Sequence, residues 1–204
     1  MGITIRLERA ADYRETEELT RDAFWDVYKP GCDEHFILHR LRASPAFVPE
    51  LALVACEDER IAGSIVYSLA KVVDGKGAAI EALCLGPVSV APGERKKGIG
   101  SQLINESLAK AEDLGHRGVF LFGNPAYYGR FGFLDAKTYG VTTSSGENFD
   151  AFMGLELYRD SLKGVSGKLV CDSAFEVDKE ALELYDKSFP PREKHKTDSQ
   201  IFKE

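Results

Sequence analysis

Long hydrophobic runs are missing from this sequence: none approaches the length of about 20 residues that a helix needs to cross a bilayer. The N-terminus has no secretory signal pattern. The four cysteines, Cys32, Cys56, Cys84 and Cys171, are widely separated and form no Cys-x-x-Cys pair. We therefore expect reduced thiols rather than disulfides or a zinc site, no metal, no membrane partner and a cytoplasmic location.

An excess of positive charge is missing as well. The chain has 26 Lys and Arg against 33 Asp and Glu, which gives a formal net charge of −7. A surface that binds nucleic acid needs clustered cations, so we expect no nucleic-acid partner. With 204 residues, 44% of them hydrophobic, the chain can form one well-packed core with a small appendage.

Two common phosphate-binding motifs are also missing. A Walker A loop needs Lys followed by Ser or Thr after its second glycine, and no such pair follows Gly100. The dinucleotide pattern Gly-x-Gly-x-x-Gly is incomplete, because Leu103 stands at the position of the third glycine. These absences argue against a P-loop nucleotidase and against a dinucleotide-dependent enzyme.

Residues 88–100 nevertheless predict an anion site. A β-branched run leads into a turn with Arg95, Lys96 and Lys97, and Gly98 and Gly100 precede a helical pattern. Glycines allow the backbone to approach an anion closely, and the free N–H groups and dipole of a helix start attract it. The pattern therefore predicts a pyrophosphate site, although a basic turn before a surface helix explains the turn itself equally well.

Hydrophobic periodicity predicts an alternation of strands and helices. Strands are predicted at residues 3–7, 51–57, 61–73, 78–90, 119–122, 133–141 and 151–158. Helices are predicted at residues 11–27, 33–42, 99–114 and 126–130. Residues 83–122 give strand, helix, strand, which indicates a parallel crossover in an otherwise antiparallel sheet. We expect one domain at residues 1–160 and a small extension with a mobile tail at 161–204.

Gly86 and Pro87 interrupt the strongest strand pattern, residues 82–90. Proline has no N–H to give to a strand ladder, so a central strand rarely contains one. The conflict is resolved if the strand separates from a neighbour here and leaves backbone groups free for a ligand. An ordinary β-bulge is the alternative.

Two segments of the sequence resemble known motifs. The spacing Arg95-x-x-Gly98-x-Gly100 resembles the acyl-CoA-binding motif of the GNAT-type N-acetyltransferases. Downstream, Tyr128-x-x-x-Gly132-Phe133 is similar to that family's Tyr-x-x-x-Gly-Phe segment. The whole string Pro-x-Tyr-Tyr-x-Arg-Phe-Gly-Phe resembles a bacterial subgroup of the family, the YhbS-like proteins.

The resemblance implies an α+β (mixed α/β) fold: a central, mostly antiparallel mixed sheet, flanked by helices and splayed between its fourth and fifth strands. It also implies an enzyme that takes acetyl-CoA as co-substrate and needs no metal. The acetyl group would pass directly to a primary amine of a small molecule or peptide. A homodimer is compatible with this fold, although no pattern in the sequence requires one.

The resemblance also implies a set of site residues. Contacts with the co-substrate are expected from Val88, Ser89, Val90, Arg95, Lys96, Lys97, Gly98, Ile99, Gly100, Ser101, Asn124 and Tyr127. Tyr127, Phe131 and Phe133 are expected to serve mainly in packing.

Tyr128 is the predicted catalytic acid. A thiolate leaving group has a pKa near ~8.5 and tyrosine one near ~10, so Tyr128 is protonated and can donate as the C–S bond breaks. Glu81 is the predicted base, with a solvated position on the sheet as the alternative. Glu34 and His35 are expected beside the acceptor, although a lone histidine is more often structural.

Two rival functions remain open at this point. A non-catalytic acyl-CoA sensor would keep the phosphate turn and the splayed strand but would not turn over an acceptor. An interaction module would use the C-terminal extension to dock a partner. The presence of Tyr128 favours the enzyme.

Overall fold

A nine-stranded mixed sheet forms the centre of the computed structural model, which describes residues 2–198 and 200. The strands are β1 Ile3–Leu7, β2 Leu53–Glu57, β3 Arg60–Val73, β4 Ala79–Val90, β5 Gly118–Phe122, β6 Leu134–Asp135, β7 Val141–Thr142, β8 Phe152–Glu156 and β9 Gly167–Val170. The order is β1-β2-β3-β4-β5-β8-β6, and β9 pairs with both β3 and β7. The β4–β5 and β7–β9 pairs are parallel, and the other described pairs are antiparallel.

Helices flank this sheet. They are α1 Tyr13–Phe24, α2 Glu34–Ala43, α3 Ile99–Asp113, α4 Pro125–Tyr128 and α5 Lys179–Asp186. The predicted mixed fold is confirmed, including the parallel crossover in which α3 connects β4 to β5. None of the helices in the described residues is long and apolar enough to cross a bilayer.

The core lies on both faces of the sheet. On one face, Leu103, Ile104 and Ala111 of α3 are fully buried against the sheet, as their helical spacing predicts. On the other face, Leu162 and Leu169 from the C-terminal extension join a second buried cluster. The extension therefore completes the core.

β4 separates from β5 and is also bulged against β3. The β4–β5 ladder consists of the pairs Leu83↔Val119 and Cys84↔Phe120, beyond which the strands diverge. On the other side of β4, the register shifts so that one residue of β3, Val66, faces Gly86 and Pro87 together. A Cβ at Gly86 would lie 2.7 Å from Val66 Cγ2, so glycine is required at this bulge. The predicted separation and its alternative, the bulge, therefore occur together.

Three features of the second half differ from the predicted pattern. The strand predicted at residues 133–141 is reduced to the short strands β6 and β7 around a 3-10 turn, Ala136–Tyr139. Strand β9 and helix α5 were not predicted. Both are short segments in a polar region, and β9 is stabilised by pairing with distant β3 at Lys71↔Val170.

The extension is held to the rest of the chain by a buried ion pair. Arg21 of α1 donates from Nε and Nη2 to the two carboxylate oxygens of Asp186 in α5, at 2.8 and 3.1 Å. Phe189 is buried beside this pair and Arg14 covers its ring. The domain boundary near residue 160 stays a prediction. Part of the predicted mobile tail, residues 199 and 201–204, lies outside the described residues.

We predict that Asp186→Ala lowers the free energy of unfolding by about 3 kcal/mol, because it leaves the Arg21 guanidinium, which is 5% exposed, without its partner. Urea unfolding at pH 7 measures this. Glu183→Ala, on an exposed position of the same helix, is the matched control and should unfold with the wild type. Equal midpoints for both variants would show that the ion pair does not hold the extension.

Candidate active site

The divergence of β4 and β5 opens a cavity of about 590 Å³, here called the gap cavity. Its walls come from β4, from α1 and the start of α2, from the segment after β5, and from the C-terminal extension. The lining residues from β4 are Leu85, Gly86, Pro87, Val88 and Val90, and those after β5 include Asn124, Tyr127 and Tyr128. Elements that lie far apart in the sequence therefore contribute to one cavity.

A second cavity of about 550 Å³, here called the loop cavity, lies at the start of α3. Its lining residues are Val90, Glu94, Arg95, Lys96, Gly98, Ile99, Gly100, Ser101, Tyr127 and Arg130. Val90, Arg95, Gly100 and Tyr127 line both cavities, so the two adjoin. They form one groove that runs from the start of α3 to the start of α2.

The backbone at the start of α3 is open to an anion. Gly98 has a φ of 87°, which glycine adopts without strain. The first N–H to close a turn of this helix is that of Gln102, which donates to the Gly98 carbonyl at 3.0 Å. The N–H groups of residues 99–101 therefore have no intrahelical acceptor and carry the positive end of the helix dipole. The side chain of Ile99 is buried in the core, so this residue offers only its backbone.

Four cationic side chains lie in this region, and three of them line the loop cavity. Arg95 lines both cavities and donates to the Ala23 carbonyl of α1, and Lys96 lines the loop cavity. Lys97 does not line either cavity, because it pairs with Glu94 at 2.6 Å. The sequence analysis did not single out Arg130, which lines the loop cavity with its guanidinium 4.8 Å from the Tyr127 ring centre.

The exposed edge of β4 offers backbone groups to the gap cavity. The Ala91 N–H donates to the Ala62 carbonyl of β3 at 2.9 Å. Because the backbone groups of every second residue in an antiparallel strand point to the same neighbour, those of Ser89 also point toward β3. The N–H and C=O groups of Val88 and Val90 therefore point away from β3 and toward the gap. As a correction to the sequence analysis, Ser89 does not face a ligand: its backbone groups point toward β3, and its side chain is buried with Oγ 2.8 Å from Thr20 Oγ1.

Tyr128 projects into the gap cavity from α4. Its ring packs so tightly over Gly123 that a Cβ there would lie 2.3 Å from Tyr128 Cε2. Burial raises the pKa of the hydroxyl, and proximity to Tyr28 and Tyr127 raises it further. Within the described part of the chain the hydroxyl has no hydrogen-bond partner. Tyr128 is therefore a neutral, unengaged donor facing the gap.

Glu34, the first residue of α2, lines the same cavity. Burial raises the pKa of its carboxyl to about 7, although backbone N–H groups, including that of Asp33 at 3.0 Å, hydrogen-bond to it. Tyr28 is a neighbour: burial raises the pKa of its hydroxyl, and the Glu34 charge raises it further. A carboxyl that titrates near neutral pH can accept a proton from a bound cation.

Two other predicted site residues do not line the gap cavity. Glu81 is five positions before Gly86 on β4, about 16 Å along the strand, and its side chain is 62% exposed beside His116. His35 is fully buried, with Nε2 3.1 Å from Asp186 and Nδ1 3.4 Å from Cys32 Sγ. Burial lowers its pKa to about 4. As corrections, Glu81 occupies a solvated sheet position and His35 has a structural one.

The sheet opened between its parallel strands, with free N–H groups at the start of the helix between them, agrees with the architecture that the resemblance to N-acetyltransferases implies. Comparison with known proteins identifies the family. The model of the acetyltransferase (GNAT) domain matches residues 4–134. The chain belongs to this GNAT acetyltransferase family, which makes it an enzyme of the acyltransferase class, as the resemblance predicted.

Individual relatives agree with this assignment. The chain is 30% identical over 164 residues to the uncharacterized N-acetyltransferase YhbS of Escherichia coli K12, covering 80% of this chain and 92% of that protein. The crystal structure of Escherichia coli YhbS in complex with CoA matches with a TM-score of 0.76 at 28% identity, over 86% of this chain and 92% of that one.

A GNAT family acetyltransferase from Brucella melitensis, crystallised with acetyl-CoA, is also similar. It matches with a TM-score of 0.69 at 34% identity, covering 85% of this chain and 98% of that one. The agreement extends over most of both chains.

We predict that Gly123→Ala lowers kcat about 10- to 100-fold, because the new methyl group displaces the Tyr128 ring. Thiol release with a primary amine that the wild type acetylates measures this. Gly129→Ala is the matched control, since a Cβ there meets no atom within 4 Å, and it should retain wild-type kcat. Equal kcat values for the two variants would contradict the placement of Tyr128 at the reacting centre.

Proposed function

We propose that the protein transfers an acetyl group from acetyl-CoA directly to a primary amine of a small-molecule or peptide acceptor. The observation that supports this proposal most strongly is a single groove. It is lined by the free N–H groups at the start of α3, the free backbone groups of β4, and the side chains of Tyr128 and Glu34. The complexes of the Escherichia coli and Brucella relatives with CoA and acetyl-CoA support this choice of donor. The free cysteines Cys32, Cys56, Cys84 and Cys171 support a reducing, cytoplasmic location.

The groove fits the parts of acetyl-CoA. The free N–H groups at the start of α3, with Lys96 and Arg130 beside them, suit a pyrophosphate. The free C=O of Val88 and the free N–H and C=O groups of Val90 suit the amides of a pantetheine arm, which would complete the interrupted ladder of β4. When bound, acetyl-CoA supplies a thioester carbonyl as the electrophile.

The reaction requires a neutral amine, and Glu34 is the base that we propose. A primary ammonium must lose a proton before its nitrogen can form a bond to the carbonyl carbon. A carboxyl with a pKa of about 7 is both substantially ionised at neutral pH and basic enough to accept this proton. Glu34 thus replaces Glu81 as the candidate.

Val88 and Tyr128 act on the two atoms that become negative during the reaction, the carbonyl oxygen and the leaving sulfur. The Val88 N–H points into the gap, where it can donate to the oxygen that becomes negative as the C–N bond forms. As the C–S bond breaks, the sulfur takes a proton from the Tyr128 hydroxyl, which its raised pKa keeps protonated. The proton that the newly acylated nitrogen then loses returns to the Tyr128 oxygen, so that the hydroxyl is restored. The alternative, a non-catalytic acyl-CoA sensor or interaction module, gives no reason for Glu34 and Tyr128 to share one cavity.

Binding of acetyl-CoA tests the anion site. We predict micromolar affinity for the wild type by calorimetry and at least tenfold weaker binding for Gly98→Asp, which adds a negative charge to the loop cavity. Gly93→Asp is the matched control: it lies in the same turn, its Cβ meets no atom within 4 Å, and it does not line the cavity. Absence of binding to the wild type would overturn the proposed donor.

The pH dependence of kcat/KM tests the base. Glu34 acts only when deprotonated, so we predict that kcat/KM falls as pH decreases through about 7. Glu34→Gln should lower kcat/KM about 100-fold or more at pH 8 and should abolish the acidic limb of the pH profile, which is the fall of kcat/KM below pH 7. Glu81→Gln, a carboxyl on the exposed sheet, should keep both the rate and the limb. If Glu81→Gln instead loses the limb, the original prediction from the sequence is correct.

Tyr128→Phe tests the acid. We predict that it lowers kcat about 100-fold while the dissociation constant for acetyl-CoA changes less than threefold, because the hydroxyl acts on the leaving sulfur and not in ground-state binding. Steady-state thiol release and calorimetry measure the two quantities. An unchanged kcat would remove Tyr128 from the mechanism.

A further inference from the structure

The part of the gap cavity away from α3 is lined mainly by aromatic and branched aliphatic side chains. Its walls away from the α3 anion site are Phe24, Val27, Tyr28, Ile37, Phe122 and Phe175. Glu34 is the single carboxyl group among the described residues that line this cavity. An acceptor cation therefore has one charged partner here, and the remainder of the molecule meets aromatic and branched aliphatic side chains.

The apolar wall continues to the protein surface. Phe122, at the end of β5, is 53% exposed, and its ring stacks on Phe149, with ring centres 5.9 Å apart. Val27 and Tyr28, on the opposite wall, are also exposed. Large apolar side chains that remain exposed around a cavity indicate a surface that an apolar ligand covers.

Phe175 shows that the C-terminal extension helps to shape this wall. It lies in the turn Ser173–Phe175, whose start is fixed by Asp172. One carboxylate oxygen of Asp172 accepts from the Ala174 N–H and the other from Ser44 Oγ at the end of α2, both at 2.8 Å. The position of the Phe175 ring is therefore determined by contacts outside the cavity, as expected for a residue that selects a ligand.

We propose that the acceptor is a primary monoamine on an aromatic or branched apolar carbon skeleton, with Phe122 and Phe175 as the residues that select it. This inference rests on the proposed function. A polyamine or an aminoglycoside would bring further cations into a cavity with no second carboxylate. A lysine within a peptide would place flanking backbone N–H and C=O groups against a wall in which, of the six side chains named above, only Tyr28 can hydrogen-bond to them.

The test compares four amines at saturating acetyl-CoA: 2-phenylethylamine, isoamylamine, spermidine and Nα-acetyl-lysine amide. We expect kcat/KM for 2-phenylethylamine to exceed that for spermidine and for the lysine amide about 30-fold or more, from burial of the ring. Isoamylamine should fall between them. Faster turnover of spermidine or the lysine amide overturns the proposed acceptor and leaves the acetyltransferase intact. Thiol release with none of the four amines overturns both.

Two variants test whether the side chains of Phe122 and Phe175 select the acceptor amine. Phe175→Ala and Phe122→Ala should each raise KM for 2-phenylethylamine about tenfold with little change in kcat, and should change kcat/KM for spermidine less than threefold. Because Phe122 is largely exposed, its variant tests the wall even if Phe175→Ala folds poorly. Leu184→Ala, on the exposed face of α5, is the control and should match the wild type. An equal loss with both amines would contradict a role in selection.

Discussion

The end of the β4–β5 ladder after Cys84 is the constraint on which the rest of the site depends. Beyond it, the N–H and C=O groups of Val88 and Val90 have no neighbouring strand, and unsatisfied backbone groups are costly unless water or a ligand satisfies them. Gly86 and Pro87 make the interruption tolerable: glycine fits the bulge where a Cβ would collide, and proline adds no N–H that needs a partner. The same interruption creates the space that Tyr128 and Glu34 both line.

The two ends of the groove have opposite electrostatic character. At α3, unpaired N–H groups and nearby cations favour an anion. At α2, a single carboxyl, Glu34, is partly buried beside apolar side chains, and this burial raises its pKa from 4.5 to about 7. Because the folded state holds this proton more tightly than the unfolded chain, stability falls as pH rises through that interval. The position that makes Glu34 a suitable base therefore costs the folded state some stability at the pH where the base is active.

Local signals predicted the donor side of the site, and long-range packing determined the acceptor side. The basic turn and the Gly86-Pro87 pair are short motifs whose backbone consequences are the same wherever they occur, so the open strand and the free N–H groups at the start of α3 could be predicted. No local pattern distinguishes the buried carboxyl of Glu34 from the solvated one of Glu81, because burial depends on elements far away in sequence. Phe175 and β9 were missed for the same reason: both are positioned by contacts across the whole chain.

Amide hydrogen exchange on β4, measured by NMR with and without acetyl-CoA, tests the central claim most directly. In the free protein, the Ser89 amide should be protected by its pairing with β3, whereas the Val88 and Val90 amides should exchange rapidly. Addition of acetyl-CoA should slow exchange at Val88 and Val90 and leave Ser89 unchanged. Protection of Val88 and Val90 before ligand is added, or no change on addition, would contradict the account of β4 as an open strand completed by its substrate.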